Sequence, residues 1–106
     1  MPWKNLDELH ECTLEKVLKK MNFDRVSKKD KKYLVMLWHK IKPWDDSCMA
    51  IDQLNKNYIT ASLSNGNILL QKNLFNYTSL NFDFMFSAEY FKKYKPNKIV
   101  YLGAAS

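Results

Sequence analysis

Two β-rich runs, Tyr58–Leu63 and Phe82–Ser87, flank a stretch at helical spacing from Ile68 to Tyr77, and this succession constrains the chain more than any other feature. A strand, a helix and a second strand in that order place the strands parallel, because the helix carries the chain back across the sheet. The run Tyr58-Ile59-Thr60-Ala61-Ser62-Leu63 lacks strict alternation of apolar and polar residues, as expected of a strand covered on both faces. Upstream, Asp45 or Asp46 is placed to cap a short helix through Leu54; downstream, Pro96 is placed to start a final helix through Ala105. The second half therefore reads helix, strand, helix, strand, helix, an α/β class with a parallel sheet. Two parallel strands do not make a stable sheet unaided, and the last helix runs to Ser106 with no strand after it. The chain accordingly reads as a segment cut from a longer fold.

The first half follows a helical period instead. Asn5 can cap a helix reaching Met21, with Asp7 and Glu8 at its positive end and Leu6, Leu9, Leu14, Val17, Leu18 and Met21 along one face. Ser27 opens a second helix, where Ser27-Lys28-Lys29-Asp30 resembles a capping box with Asp in place of Glu. Its apolar face is Leu34, Leu37, Trp38 and Ile41, and Pro43 ends it. The two form a helical hairpin, and Trp3, Trp38 and Trp44 are expected to pack it against its neighbour.

Composition narrows the function classes. Hydrophobic residues make up 46% of the 106, enough to build a core. No apolar stretch approaches the roughly 20 residues that cross a bilayer, and the first residues carry no secretory core, so no membrane role and a cytoplasmic location are expected. A net charge of +6 invites nucleic acid, yet only Arg25 among the 17 basic residues is an arginine. Base and phosphate readers favour the guanidinium fork, so the lysines, scattered from Lys4 to Lys98, read as a solvated surface and no nucleic-acid partner is expected. Cys12 and Cys48 are lone thiols far apart, most simply small apolar residues. His10 and His39 lie on different helices with no carboxylate or thiol at ligand spacing, so no metal site is expected.

Two loops leave the carboxyl ends of the strands, where α/β sheets bind ligands. In Ser64-Asn65-Gly66-Asn67, Gly66 permits close backbone approach, Ser64 and Asn65 add polar groups, and the amides opening the next helix can hold an anion. The same residues also suit an ordinary turn with a capping Asn. In Tyr94-Lys95-Pro96, proline biases Lys95 toward extended backbone, from which its ammonium could face the same sheet edge, although most lysines are simply solvated.

Taken together, Pro43-Trp44-Asp45-Asp46-Ser47, Ala61-Ser62-Leu63-Ser64-Asn65-Gly66-Asn67, Ser87-Ala88-Glu89-Tyr90-Phe91-Lys92-Lys93-Tyr94-Lys95-Pro96 and Val100-Tyr101-Leu102-Gly103-Ala104-Ala105 closely resemble the type II 2-haloacid dehalogenases of the haloacid dehalogenase superfamily. The resemblance runs over essentially the whole chain. It implies a partial helical cap over residues 1–43 and a partial Rossmann-like α/β core over 44–106. It also implies hydrolytic dehalogenation of a 2-haloalkanoic acid, in which an aspartate displaces halide and water cleaves the resulting ester. Ser64 and Asn65, with Gly66 between them and the helix, would hold the substrate carboxylate. Lys95 would position the aspartate and offset negative charge, and Tyr101 would sit beside the site. The roles make physical sense, since two carboxylates can approach each other only beside a cation and hydrogen-bond donors. No cofactor is implied; magnesium would enter only for a phosphatase of the same superfamily, which shares the Ser and Lys roles. A homodimer is a further expectation of the family. The nucleophilic aspartate would precede Met1, and the loop supporting Lys95 would follow Ser106. The isolated chain is therefore expected to be inactive, or else to act as an interaction module completed by a partner. Arg25 does not match the family's cap arginine.

Overall fold

The computed structural model describes residues 2–106. Helix α1 (Leu6–Lys20) opens on a full capping box: Asn5 Oδ1 accepts from the Glu8 amide at 2.9 Å, and Glu8 Oε2 accepts from the Asn5 amide at 3.0 Å. It stops where Asn22 adopts a left-handed φ of 59° and the Phe23 amide closes onto Leu18 O at 2.9 Å. Helix α2 (Lys28–Met36) opens on Ser27, whose Oγ accepts from the Asp30 amide at 3.1 Å. Well before Pro43 it tightens into a 3-10 turn over Leu37–Lys40, so the regular α-helix is shorter than its periodicity predicts. Helix α3 (Ser47–Asn55) follows; Asp46 occupies its N-cap position without a side-chain bond.

Strands β1 (Ala61–Ser64) and β2 (Phe84–Ser87) pair in parallel, Ala61 opposite Phe84 and Ser64 opposite Ser87, with helix α4 (Ile68–Thr78) between them in sequence. Both strands start later than the β-rich runs suggest. The Tyr58 amide still bonds Leu54 O at 2.8 Å, finishing the turn after α3, and Ile59 is 79% exposed. Pairing begins at a brace: the Thr60 amide donates to Asp83 Oδ2 at 2.9 Å, and the Asp83 amide to Thr60 Oγ1 at 3.2 Å. Phe82, ahead of that brace, turns instead onto Phe75, ring centres 5.1 Å apart. Helix α5 (Lys98–Ala105) opens not at Pro96 but on Asn97, whose Oδ1 accepts from the Ile99 amide at 2.9 Å. None of these helices is long and apolar enough to cross a membrane among the described residues.

The molecule is a slab of 52 × 33 × 17 Å. Its interior is unusually polar. The largest fully buried side chains are His39, Gln71, Val100 and Ser87, whereas the apolar faces stand open, with Leu34, Leu37, Trp38 and Ile41 41–49% exposed. Of the α1 stripe only Leu18 is buried. Trp3 does pack, stacking on Tyr94 at 5.4 Å, and Trp38 stacks on His10 at 4.4 Å. Trp44, at 84% exposure, does not join them, contrary to expectation. Cys48 is not merely apolar filler, since its thiol donates to Thr78 O at 3.0 Å.

Two expectations follow. A Cβ on Gly103 would lie 2.3 Å from Phe91 Cε1, far inside van der Waals contact with the ring edge. Alanine usually improves a helix by about 1 kcal/mol over glycine. Here displacement of α5 outweighs that gain, and Gly103→Ala should lower unfolding free energy by about 1–2 kcal/mol in urea titration. Second, burial holds the His10 imidazole below the ordinary value of 6.5, against the raising pull of Asp7 and with His39 adding to the lowering. The folded chain then binds fewer protons than the unfolded one once pH drops below that value. Stability should be full above pH about 7 and decline on acidification, and His10→Phe should flatten the decline in thermal melts taken from pH about 7.5 to 5.5.

Candidate functional site

Ser64 and Ser87 sit opposite each other at the carboxyl ends of the two strands, and the loops leaving them form the site. Gln71, one turn into α4, is the frame. Its Nε2 donates to Gly66 O at 2.9 Å and to Phe86 O at 3.0 Å, while its Oε1 accepts from Ser62 Oγ at 2.8 Å. Ser87 Oγ adds a second donor to Gly66 O at 2.6 Å. Gly66 itself has no positive φ; a side chain there would meet Leu70 Cδ2 at 3.1 Å and Ser64 Oγ at 3.2 Å, so close packing is what requires glycine.

On this frame three of the expected residues come together. Ser64 Oγ accepts from the Gly66 amide at 2.9 Å. Asn65 Oδ1 accepts from the Lys95 amide at 2.8 Å, and Lys95 Nζ donates to Leu63 O at 2.8 Å. The lysine is half-buried and bridged to β1 rather than simply solvated. These bonds determine what remains. The Ser64 hydroxyl accepts, so its own hydrogen is left to donate. The Asn65 carbonyl faces a backbone N–H, so its amide nitrogen points away with two donors. Lys95 keeps two of three ammonium hydrogens. The cluster thus has unused donors and a positive charge.

Tyr101 is not brought to this cluster by any hydrogen bond among the described residues; it lies on α5, 46% exposed. The anion-binding role expected of the α4 N-terminus is corrected as well. The Ile68 amide donates to Glu89 Oε1 at 2.9 Å, so the protein's own carboxylate already occupies that position. Glu89 Oε2 in turn accepts from Asn5 Nδ2 at 3.2 Å. Next to Lys95, burial first and the carboxylates of Glu8 and Glu89 after it push the Tyr94 hydroxyl above its ordinary range, leaving it a donor to Lys4 O.

The structure also supplies a partner that spacing concealed. His39, 2% exposed, places Nε2 2.9 and 3.1 Å from the two carboxylate oxygens of Asp7, and Nδ1 3.0 Å from Asn73 Nδ2. Asn67 completes the group: its Nδ2 donates to Asp7 Oδ2 at 2.9 Å, and its Oδ1 accepts from the Asp7 amide at 3.2 Å. Asn67 therefore does not cap α4 with its own side chain, contrary to the turn-and-cap reading. Nothing in linear spacing joins residues 7, 39 and 67; the only sequence sign was a histidine interrupting a run of apolar and lysine residues. Among the described residues no group of three or more His, Cys, Asp or Glu side chains is placed to hold a metal ion.

Comparison with known proteins gives a consistent picture. No family profile and no curated protein sequence matches the chain. Among solved structures, the L-2-haloacid dehalogenase PA0810 is similar at 32% identity and a TM-score of 0.96, covering 99% of this chain and 46% of that one. The defluorinating L-2-haloacid dehalogenase Rha0230 is similar at 29% identity and a TM-score of 0.94, covering 99% of this chain and 44% of that one. The L-2-haloacid dehalogenase from Xanthobacter autotrophicus with chloropropionic acid covalently bound shares the fold at a TM-score of 0.86 and 17% identity, over 96% of this chain and 42% of that one. The chain spans somewhat under half the length of each.

Removing the Asn65 carbonyl leaves the half-buried Lys95 amide without its acceptor. Asn65→Ala should cost about 1–2 kcal/mol in urea unfolding and speed hydrogen exchange at the Lys95 amide well beyond that at β2.

Proposed function

We propose that this chain, which belongs by fold and sequence likeness with the type II haloacid dehalogenases, carries the carboxylate-binding side of a 2-haloacid site. The carrying observation is the set of unused donors on Ser64, Asn65 and Lys95, held by bonds of 2.8–2.9 Å on the protein side. A small monocarboxylate matches that set: one oxygen takes the Ser64 hydroxyl and Asn65 amide, and the ammonium of Lys95 balances the charge. The dehalogenase neighbours support a haloacid over a phosphate as the anion, and the magnesium-dependent phosphatase reading stands second for that reason.

In the whole enzyme the substrate carboxylate is held while an aspartate displaces halide from the neighbouring carbon, and water then cleaves the ester. Lys95 has two tasks in that scheme. It lowers the cost of bringing two carboxylates together, and it aims the aspartate, since its own position is held by Leu63 O. Tyr101 would join this site only with further protein packed around α5. Among the described residues no aspartate is hydrogen-bonded to Ser64, Asn65 or Lys95: Asp7 is committed to His39 and Asn67, and Asp83 to the opposite ends of the strands. Binding without turnover is therefore the expected behaviour of these residues alone.

Titration of the labelled chain with 2-chloropropionate, followed by amide shifts, should perturb Ser64, Asn65 and Lys95, and Lys95→Met should weaken binding about tenfold through loss of one charge-assisted contact. No halide should be released. Shifts confined elsewhere would defeat the binding assignment, and halide release above a heat-killed control would defeat the expectation of an inactive chain.

A further inference from the structure

Asn67 can satisfy the chain in two ways. As the residue before Ile68 it is placed to turn its side chain inward and cap α4, which is the usual fate of an asparagine at that position. Instead its side chain is 3% exposed and makes a reciprocal pair with Asp7, taking the Asp7 amide at 3.2 Å and giving to Asp7 Oδ2 at 2.9 Å. The cap is left to Glu89, whose other oxygen is held by Asn5. Both carboxylates that grip the end of the Ser64–Asn67 loop are thus anchored at the first turn of α1, far away in sequence.

Asp7 is held in turn. The Asn73 amide donates to His39 Nδ1, which makes that nitrogen the acceptor and puts the proton of a neutral ring on Nε2, facing both oxygens of Asp7. The ring has almost no exposure and no room to exchange partners with water. A polar cluster so fully paired has one geometry, and a half-paired alternative is costly.

We propose that Asp7 and His39 are positioning residues: through Asn67 they set the direction of the Ser64–Asn67 loop, so that the helical hairpin aims the donors of the α/β half. The chain of contacts is His39 to Asp7, Asp7 to Asn67, and Asn67 by two peptide links to Asn65. Without Asp7, Asn67 loses both of its anchors on α1, the loop end that presents the Ile68 amide to Glu89 loosens, and Ser64 and Asn65 lose their common aim. That the aim serves a carboxylate rests on the proposed function; that the loop is held from α1 rests on the geometry alone.

The experiment uses the labelled 106-residue chain, with Asp7→Ala and, as the conservative variant, Asp7→Asn, which keeps an oxygen for Asn67. In the unaltered protein, imidazole nitrogen shifts should report His39 protonated on Nε2. In Asp7→Ala, exchange at the Gly66 and Ile68 amides should rise about tenfold while Leu63 and Met85 in the sheet change little. Asp7→Asn should recover most of the protection. A His39 proton on Nδ1 would overturn the proposal. So would unchanged exchange at Ile68, or a uniform rise across sheet and loop alike, which would mark a merely structural contact. Each protein is also titrated with 2-chloropropionate. Loop-selective exchange with no binding by the unaltered chain would sink the haloacid reading and leave the positioning role standing; binding that Asp7→Ala leaves unweakened would limit Asp7 to the loop and remove its link to the site.

Discussion

The carbonyl of Gly66 is the point on which the α/β half depends. It is the last carbonyl before the loop turns into α4, and it is buried where no ladder bond can reach it. Gln71 and Ser87 supply it with two donors, and Gln71 uses its remaining groups on Ser62 and Phe86. One side chain thereby ties β1, β2 and the start of α4 together. Each such bond contributes only about 1 kcal/mol net, but leaving a buried carbonyl unpaired costs about 1–3 kcal/mol. The arrangement is stable chiefly because its alternatives are worse, which is also why it has a single geometry.

This dependence on polar contacts follows from what the chain does not bury. Among the described residues the buried hydrophobic side chains are Leu18, Leu70, Ala88 and Val100, while Trp44, Ile59, Met49 and Leu102 are between 65% and 84% exposed. An ordinary domain of this length hides most such side chains. The slab matches its dehalogenase neighbours at TM-scores of 0.96 and 0.94 while spanning 46% and 44% of them. Those longer folds hold more chain than this slab, whose apolar faces stand open. Specific hydrogen bonding sets the shape of the piece; burial of the open faces would supply most of its stability.

How much of this could be read beforehand depended on whether the signal was local. The α1 cap was legible because Asn5 and Glu8 are three positions apart, and the parallel pair was legible because two β-rich runs bracket a helix. The Ser64, Asn65 and Lys95 cluster was legible only as a pairing of loops, since neither motif is specific alone. What failed was of two kinds. Strand starts were misplaced at Tyr58 and Phe82 because β propensity extends upstream of the Thr60–Asp83 brace at which pairing begins. The role of Asn67 was misread because it had a plausible local partner and a better one distant in sequence, and the Asp7 partner of His39 went unseen because spacing carries no information about distant partners. Tyr101 shows the same limit in reverse: its proposed role depends on a neighbour that the described residues do not provide.

The two halves then have an unequal relation. The α/β half provides the groups with unused donors, but the position of its loop is closed by α1, through Asn5 on Glu89 and Asp7 on Asn67. A loop this short has few bonds of its own: Ser64 Oγ to the Gly66 amide is the only one within it. Such a loop left to itself would sample several directions, and each donor would face a substrate part of the time. Fixing its exit from a separate helix removes that freedom before any ligand arrives, so ordering is not charged to binding. Because Asn5 holds Glu89 and Asp7 holds Asn67, a shift of α1 along its axis would carry both contacts, and with them the floor of the proposed site.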